Sequence, residues 1–213
     1  MILFALIAYL IYGNRNQFIE LSLLKAQIHP HFLFNTLNNL YALSMSKSDE
    51  APGVVMGLSN ILRYILYECN TINANLMKEL EIITEYINLE KIRYSDRLDV
   101  NTHYGKNLEG YTIAPLLLLP LVENAYKHGV NKLEEDSWIN IEAKVIGEKF
   151  IFKISNNKPM GQGNNTSKSI YGNIGLKNIK KRLEILYPKQ HRFRIMDSED
   201  IFLVTLELKV TQS

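Results

Sequence analysis

A chain of 213 residues, 46% hydrophobic and 22% charged, is ordinary globular material, long enough for about two small domains. Its formal net charge of +2 is too small to imply a polyanionic partner, and no Lys/Arg run interleaved with aromatics marks a nucleic-acid surface, so DNA and RNA are set aside. The one cysteine, Cys69, cannot form an internal disulfide; its spacing fits a buried helix face, which points to packing in a reducing compartment.

Residues 1–12 are almost wholly apolar and end at Gly13-Asn14-Arg15-Asn16. A bilayer span needs about 20 apolar residues, so this run does not cross a membrane by itself. No positive segment precedes it and no small-residue cleavage site follows, which disfavours a signal peptide. Two readings fit: the cytoplasmic end of a truncated transmembrane helix over residues 1–15, with Arg15 on the inner side, or an apolar helix start that packs in an oligomer. We take the first, which places the rest of the chain at the cytoplasmic face of the membrane.

Residues 16–47 read as one long helix, with Phe18, Leu21, Leu24 and Ile28 as its stripe before Pro30 and Leu33, Leu37 and Leu40 after it. A proline inside a helix removes a donor and clashes one turn back, costing about 3 kcal/mol, so its place in Gln27-Ile28-His29-Pro30-His31-Phe32-Leu33-Phe34-Asn35 needs a reason. His31, Asn35 and Asn38 fall at i, i+4 and i+7, the pattern of a displayed imidazole followed by two amides; the plainer alternative is a solvated polar face. Ser48-Asp49 offers capping oxygens and Pro52 suits a first turn, so a second helix is predicted from about residue 50. In it Val55, Leu58, Leu62, Ile65 and Cys69 follow the spacing of a heptad seam. Such a hairpin has more apolar surface than one internal partner covers, which predicts a homodimer closed as a four-helix bundle.

After a polar break at residues 70–75, Leu76, Leu80, Ile83 and Ile87 mark a third helix running to about Tyr94. Beyond it the period becomes two, at Ile139, Ile141, Ala143 and Val145, at Phe152 and Ile154, and at Phe202, Val204, Leu206 and Leu208, which predicts half-buried antiparallel strands. Helices are predicted over residues 115–128 and 174–187, so the fold class is α+β: a helical hairpin followed by an α/β sandwich with helices on one sheet face. The domain boundaries expected are 1–15 for the membrane end, 16–72 for the hairpin, 73–95 for a connecting helix and 96–213 for the sandwich. The long polar loop at 157–172 has the length of a functional or disordered segment.

Two further motifs carry chemistry. Leu121-Val122-Glu123-Asn124-Ala125-Tyr126-Lys127-His128-Gly129 turns abruptly from apolar to polar, with Glu123/Lys127 and Asn124/His128 each at i, i+4. Asn124 can present a neutral oxygen to Mg²⁺, and Lys127 can meet phosphate oxygens. The simpler reading is a helix C-cap with Gly129 at positive φ and basic residues against the dipole, which leaves Glu123-Asn124 unexplained. Gly172-Asn173-Ile174-Gly175-Leu176-Lys177-Asn178 opens a helix, where glycines let backbone amides approach an anion.

Taken in order, the His-Pro-His-Phe-Leu-Phe-Asn, Leu-Val-Glu-Asn-Ala-Tyr-Lys-His-Gly and Gly-Asn-Ile-Gly-Leu-Lys-Asn segments closely resemble the LytS-like (YehU-like) sensor histidine kinases over essentially everything after residue 15. The resemblance implies a dimeric hairpin joined to a GHKL-type ATP-binding domain, using ATP and Mg²⁺. It implies His31 as phosphoacceptor, Asn124 as the Mg²⁺-holding residue, Lys127 and His128 as phosphate contacts, and Gly172 and Gly175 as G-box glycines. It further implies phosphotransfer to an aspartate of a response regulator, of the LytTR type. Two departures stand out. Asn156 occupies the strand end where many members carry an adenine-binding Asp, and its carbonyl can still accept that hydrogen bond. Phe32 follows His31 where many histidine kinases place an acid, which leaves Glu123 as a candidate base. Those departures motivate an alternative, a dimeric signalling scaffold with a degenerate nucleotide site; a simple GHKL ATPase would not need the prolyl-histidine helix.

Overall fold

The computed structural model describes residues 30–69, 71–94, 97–130, 137–158 and 169–212. The apolar start, the helix stripe before Pro30 and most of the polar loop lie outside them. Among the described residues no helix is long and apolar enough to cross a membrane.

Helix α1 (Pro30–Met45) and helix α2 (Ala51–Arg63) form the expected hairpin. The turn between them is held by Ser48, whose Oγ accepts from the Glu50 amide at 3.2 Å, but Ser48 does not cap α2: the N-cap is Glu50 and makes no side-chain bond. Both hairpin faces differ from the predicted stripes. On α1, Phe32 and Thr36 are buried while Leu37 is exposed. On α2 the buried set is Val54, Gly57, Leu58 and Ile61, continued by Tyr64 in a π-helical turn (Tyr64–Glu68), and Val55 is exposed. The reason is a partner the seam argument omitted. Helix α3 (Leu76–Tyr94) lies so close that a Cβ on Gly57 would stand 3.1 Å from Leu89 Cδ2, so α2 turns its glycine side inward. Cys69 is buried as expected, its Sγ donating to the Ile65 carbonyl.

Strand β1 (Ala74–Asn75) pairs antiparallel with β3 (Thr112–Ile113), and the Asn75 side chain caps α3 by accepting from the Met77 amide at 2.8 Å. Leu76, Leu80, Ile83 and Ile87 are all buried, as their spacing predicts. So are Glu79 and Glu90, which share that apolar face.

The sheet has five strands in the order β2-β4-β5-β7-β6: β2 (Leu98–Tyr104), β4 (Ser137–Ile146), β5 (Lys149–Asn157), β7 (Ile201–Lys209) and β6 (His191–Asp197). β4, β5 and β7 are the three runs of period two, and their inward residues Ile139, Ile141, Phe152, Ile154, Val204, Leu206 and Leu208 are buried. β2 and β6 have weaker alternation. β4, β5 and β7 pair antiparallel as predicted, while β2, which the period-two pattern did not pick out, runs parallel to β4 with Leu98 opposite Ser137. The α+β class with a helical N-terminal part stands, and helices α4 (Leu119–Ala125) and α5 (Ser169–Leu186) contact each other over the sheet.

One buried carboxylate joins these parts. Glu79, 2% exposed, accepts hydrogen bonds from the Tyr64 hydroxyl and, at 2.7 Å, from the Leu116 amide. Arg182 of α5 donates to the carbonyls of Leu116 and Pro115, each at 2.7 Å. Burial pushes the Glu79 carboxyl up, and its hydrogen bonds and Arg182 pull it back down. Arg182→Met should therefore lower the unfolding free energy by about 3 kcal/mol, because two buried carbonyls lose their donor and the carboxylate its counter-charge. Urea denaturation of parent and variant checks this, and a loss below about 1 kcal/mol would contradict the linkage described.

Candidate functional site

The polar motif at 121–129 sits on α4, which is shorter than the predicted helix. Pro115 to Leu118 do not belong to it: Leu116 takes φ +54°, and the Pro115 and Leu116 carbonyls are held by Arg182 instead of by helical amides. α4 therefore starts at Leu119, with Pro120 in its first turn. After Ala125 the helix widens into a π-helical turn (Tyr126–Val130), which carries Lys127, His128 and Gly129.

Asn124 is buried to 9% exposure, and Lys127 is exposed. The side chains of His31 and His128 lie outside the described residues. Glu123 is largely buried, and that burial together with neighbouring Glu90 pushes its carboxyl up to about 8. At neutral pH it is mostly protonated, a state that donates a hydrogen bond and accepts no proton until discharged.

Gly129 does not have the positive φ of a C-cap. Its missing Cβ serves a close approach: a Cβ there would lie 2.5 Å from Asn156 Nδ2 and 2.8 Å from its Cγ. Asn156, on β5, is 1% exposed and donates Nδ2 to the Asn157 carbonyl at 2.8 Å. Sheet and helix motifs thus meet at one point, a strand-end amide against the turn that follows Asn124. The two G-box glycines differ from expectation. α5 begins at Ser169, five residues before the predicted start, so Gly172, expected just ahead of the helix, and Gly175, expected at its second residue, both lie inside its first two turns. The amide of Gly175 is then committed to the helix ladder, and a donor free for an anion is expected only in the first four residues. A Cβ on Gly175 would meet no atom within 4 Å.

Sequence spacing did not pick out the groups surrounding Glu123. Glu90 pairs with Arg93 at 2.6 Å, Arg93 stacks 4.3 Å from the Tyr94 ring centre, and Tyr126 meets Tyr94 at 6.4 Å. Burial pushes Glu90 up to about 7, against the pull of Arg93 and of a hydrogen bond from Tyr86. A signal did exist: Glu90 falls seven residues after Ile83 on the apolar stripe of α3, where a solvated glutamate is out of place.

Against known proteins, residues 19–98 match the family model described as Histidine kinase. Protein YwpD of Bacillus subtilis is 33% identical over 178 residues, 81% of this chain and 64% of YwpD. Sensor histidine kinase BtsS of Escherichia coli is 32% identical over 76% of this chain and 29% of its own length. Sensor protein LytS of Staphylococcus saprophyticus is 29% identical over 79% of this chain and 30% of its own. Among solved structures, the histidine kinase domain of a blue-light activated kinase from Erythrobacter litoralis overlaps 82% of this chain and 94% of that domain, at TM-score 0.47 and 11% identity. The chain belongs to the histidine kinase family. Within it, the sequence sits with the LytS- and BtsS-like sensor kinases, of whose full lengths it spans under a third.

Two outcomes follow from this geometry. Gly129→Ala should cost about 1–3 kcal/mol through overpacking on Asn156, and most of that cost should vanish in an Asn156→Ala background, where Nδ2 and Cγ are gone. Thermal denaturation of the two singles and the double measures it; an additive double would place the strain elsewhere. The second concerns pH. An unfolded glutamate titrates near 4.5 and folded Glu123 near 8, so this group's contribution is full below about pH 4.5 and is lost as pH rises to about 8. Glu123→Gln should gain stability relative to the parent between about pH 5 and pH 8, read as the difference in urea midpoints; a constant difference would mean a hydrated carboxyl.

Proposed function

We propose that this chain is the ATP-dependent protein-histidine kinase region of a two-component sensor, acting as a homodimer at the cytoplasmic face of a membrane. The observation that carries this reading is the close approach of Gly129, five residues after Asn124 in one motif, to buried Asn156 on β5, in an α+β domain whose core also takes in α1, the helix of His31.

In this reading Asn124 would hold Mg²⁺ through its neutral side-chain oxygen, and the ion would supply positive charge to offset that of the phosphates. Asn156 accepts from the adenine amino group, Lys127 and His128 meet phosphates, and the turns around Gly172 and Gly175 underlie the nucleotide. The neutral imidazole of His31 attacks the γ-phosphorus as the bond to ADP breaks, and the phosphoryl group then passes to a response-regulator aspartate, a LytTR-type regulator by family resemblance. Positioning does most of the work, since phosphoryl transfer asks little covalent chemistry of the protein. With Glu123 protonated at neutral pH, its role as base would require prior discharge, so solvent is the simpler acceptor for the imidazole proton. The helical commitment of Gly175 favours the second reading, a scaffold with a degenerate nucleotide site.

Incubation with γ-labelled ATP and Mg²⁺ separates the two. The expected result is acid-labile, alkali-stable label that His31→Gln abolishes and His29→Gln retains. An unlabelled parent would support the scaffold, and loss confined to His29→Gln would move the phosphoacceptor.

A further inference from the structure

The residue that replaces an acid beside the phosphoacceptor has a definite place. Phe32 is 7% exposed, and among the described residues of α1 it is the one buried apolar side chain, since Phe34, Leu37, Tyr41 and Met45 are exposed and Leu33, Leu40 and Leu43 are half-buried. Its ring lies 4.7 Å from that of Tyr86 on α3, tilted by 35°. Tyr86 in turn meets Tyr126 edge-on, at 5.4 Å and 80°. Tyr126 opens the turn directly after α4, two residues beyond Asn124. Three rings thus run without a break from the residue after His31 to the second residue after Asn124. Two of the three rings are tied further: Thr36 Oγ1 donates to the Phe32 carbonyl at 2.9 Å, and the hydroxyl of Tyr86, the middle ring, is bonded to Glu90.

Consecutive Cα atoms are 3.8 Å apart, so seating Phe32 leaves the backbone of His31 little freedom. In-line transfer tolerates misplacement of well under 1 Å before the rate collapses. We propose that Phe32 is a positioning residue for histidine phosphorylation, its ring seated on Tyr86 and through it on Tyr126 so that the His31 end of α1 is held in register with the helix of Asn124. This rests on the kinase reading above and adds to it a residue that touches neither nucleotide nor phosphate.

The test uses the full chain with labelled ATP and Mg²⁺, with nucleotide affinity read separately by a fluorescent ATP analogue. Phe32→Ala should lower the maximal labelling rate at least tenfold while leaving the analogue's Kd within about twofold, a split that a general loss of structure would not give. Tyr86→Leu should do the same, and the double variant should be no slower than the worse single, because both break one chain of contacts. Phe32→Leu fills most of the volume without a ring, and its rate should fall between parent and Phe32→Ala; it carries the test where the alanine variant fails to fold. A rate within twofold of the parent in Phe32→Leu and Phe32→Ala, a faster rate, or equal losses of rate and affinity would overturn the proposal. An unlabelled parent is a different result, since it removes the kinase reading itself.

Discussion

The Glu79 carboxylate organises this molecule because a charge-bearing group taken out of water must be met by donors from every side. Its donors come from elements that sequence order keeps apart: the Tyr64 hydroxyl at the end of α2 and the Leu116 amide ahead of α4. Arg182 of α5 adds its charge and secures the carbonyls of Pro115 and Leu116. The consequence for the site is direct. With those carbonyls engaged and Leu116 at φ +54°, the backbone cannot be helical before Leu119, so this network sets where α4 begins and hence where Asn124 stands. Tyr187, near the end of α5, adds a second tie by accepting from the Ala114 amide at 2.7 Å.

A second buried polar group works differently. Glu90 on α3 and Glu123 on α4 lie near Tyr86, Tyr94 and Tyr126; burial favours the protonated form of both, and the charge of Glu90 adds to the shift of Glu123. Arg93 offsets only part of this for Glu90, at 2.6 Å. Where Glu79 is satisfied by fixed donors, this pair is poised to change charge within the physiological range, directly beside the motif turn.

The hairpin has two unlike faces. One is sealed against α3 through the close approach at Gly57. The other displays Phe34, Leu37, Tyr41 and Met45 on α1 and Val55 and Met56 on α2, all exposed. Large apolar side chains gathered at helical spacing on an accessible face are the usual mark of an interaction surface, which agrees with the proposed dimer. The exposed stripe is not the heptad seam read from α2, because the residues of that seam divide between the two faces.

Much was legible in the sequence for a local reason. Strand periodicity at Ile139 to Val145 and at Phe202 to Leu208, the α3 stripe and the hairpin with Pro52 in the first turn of α2 depend on residues within a few positions of one another. The three motifs, and the family they indicate, were likewise readable, since short runs of His, Asn and Gly carry their identity whatever surrounds them. What only the tertiary structure decided was each case where a distant partner overrode the local pattern. Arg182 shortened α4, α3 turned α2 about its axis, β4 took a parallel neighbour, and Asn156 gave Gly129 its purpose as a gap instead of a positive-φ cap. Each involves groups more than 25 residues apart whose hydrogen bonds or steric contacts outweigh propensities of about 1 kcal/mol, and no window along the chain contains both partners.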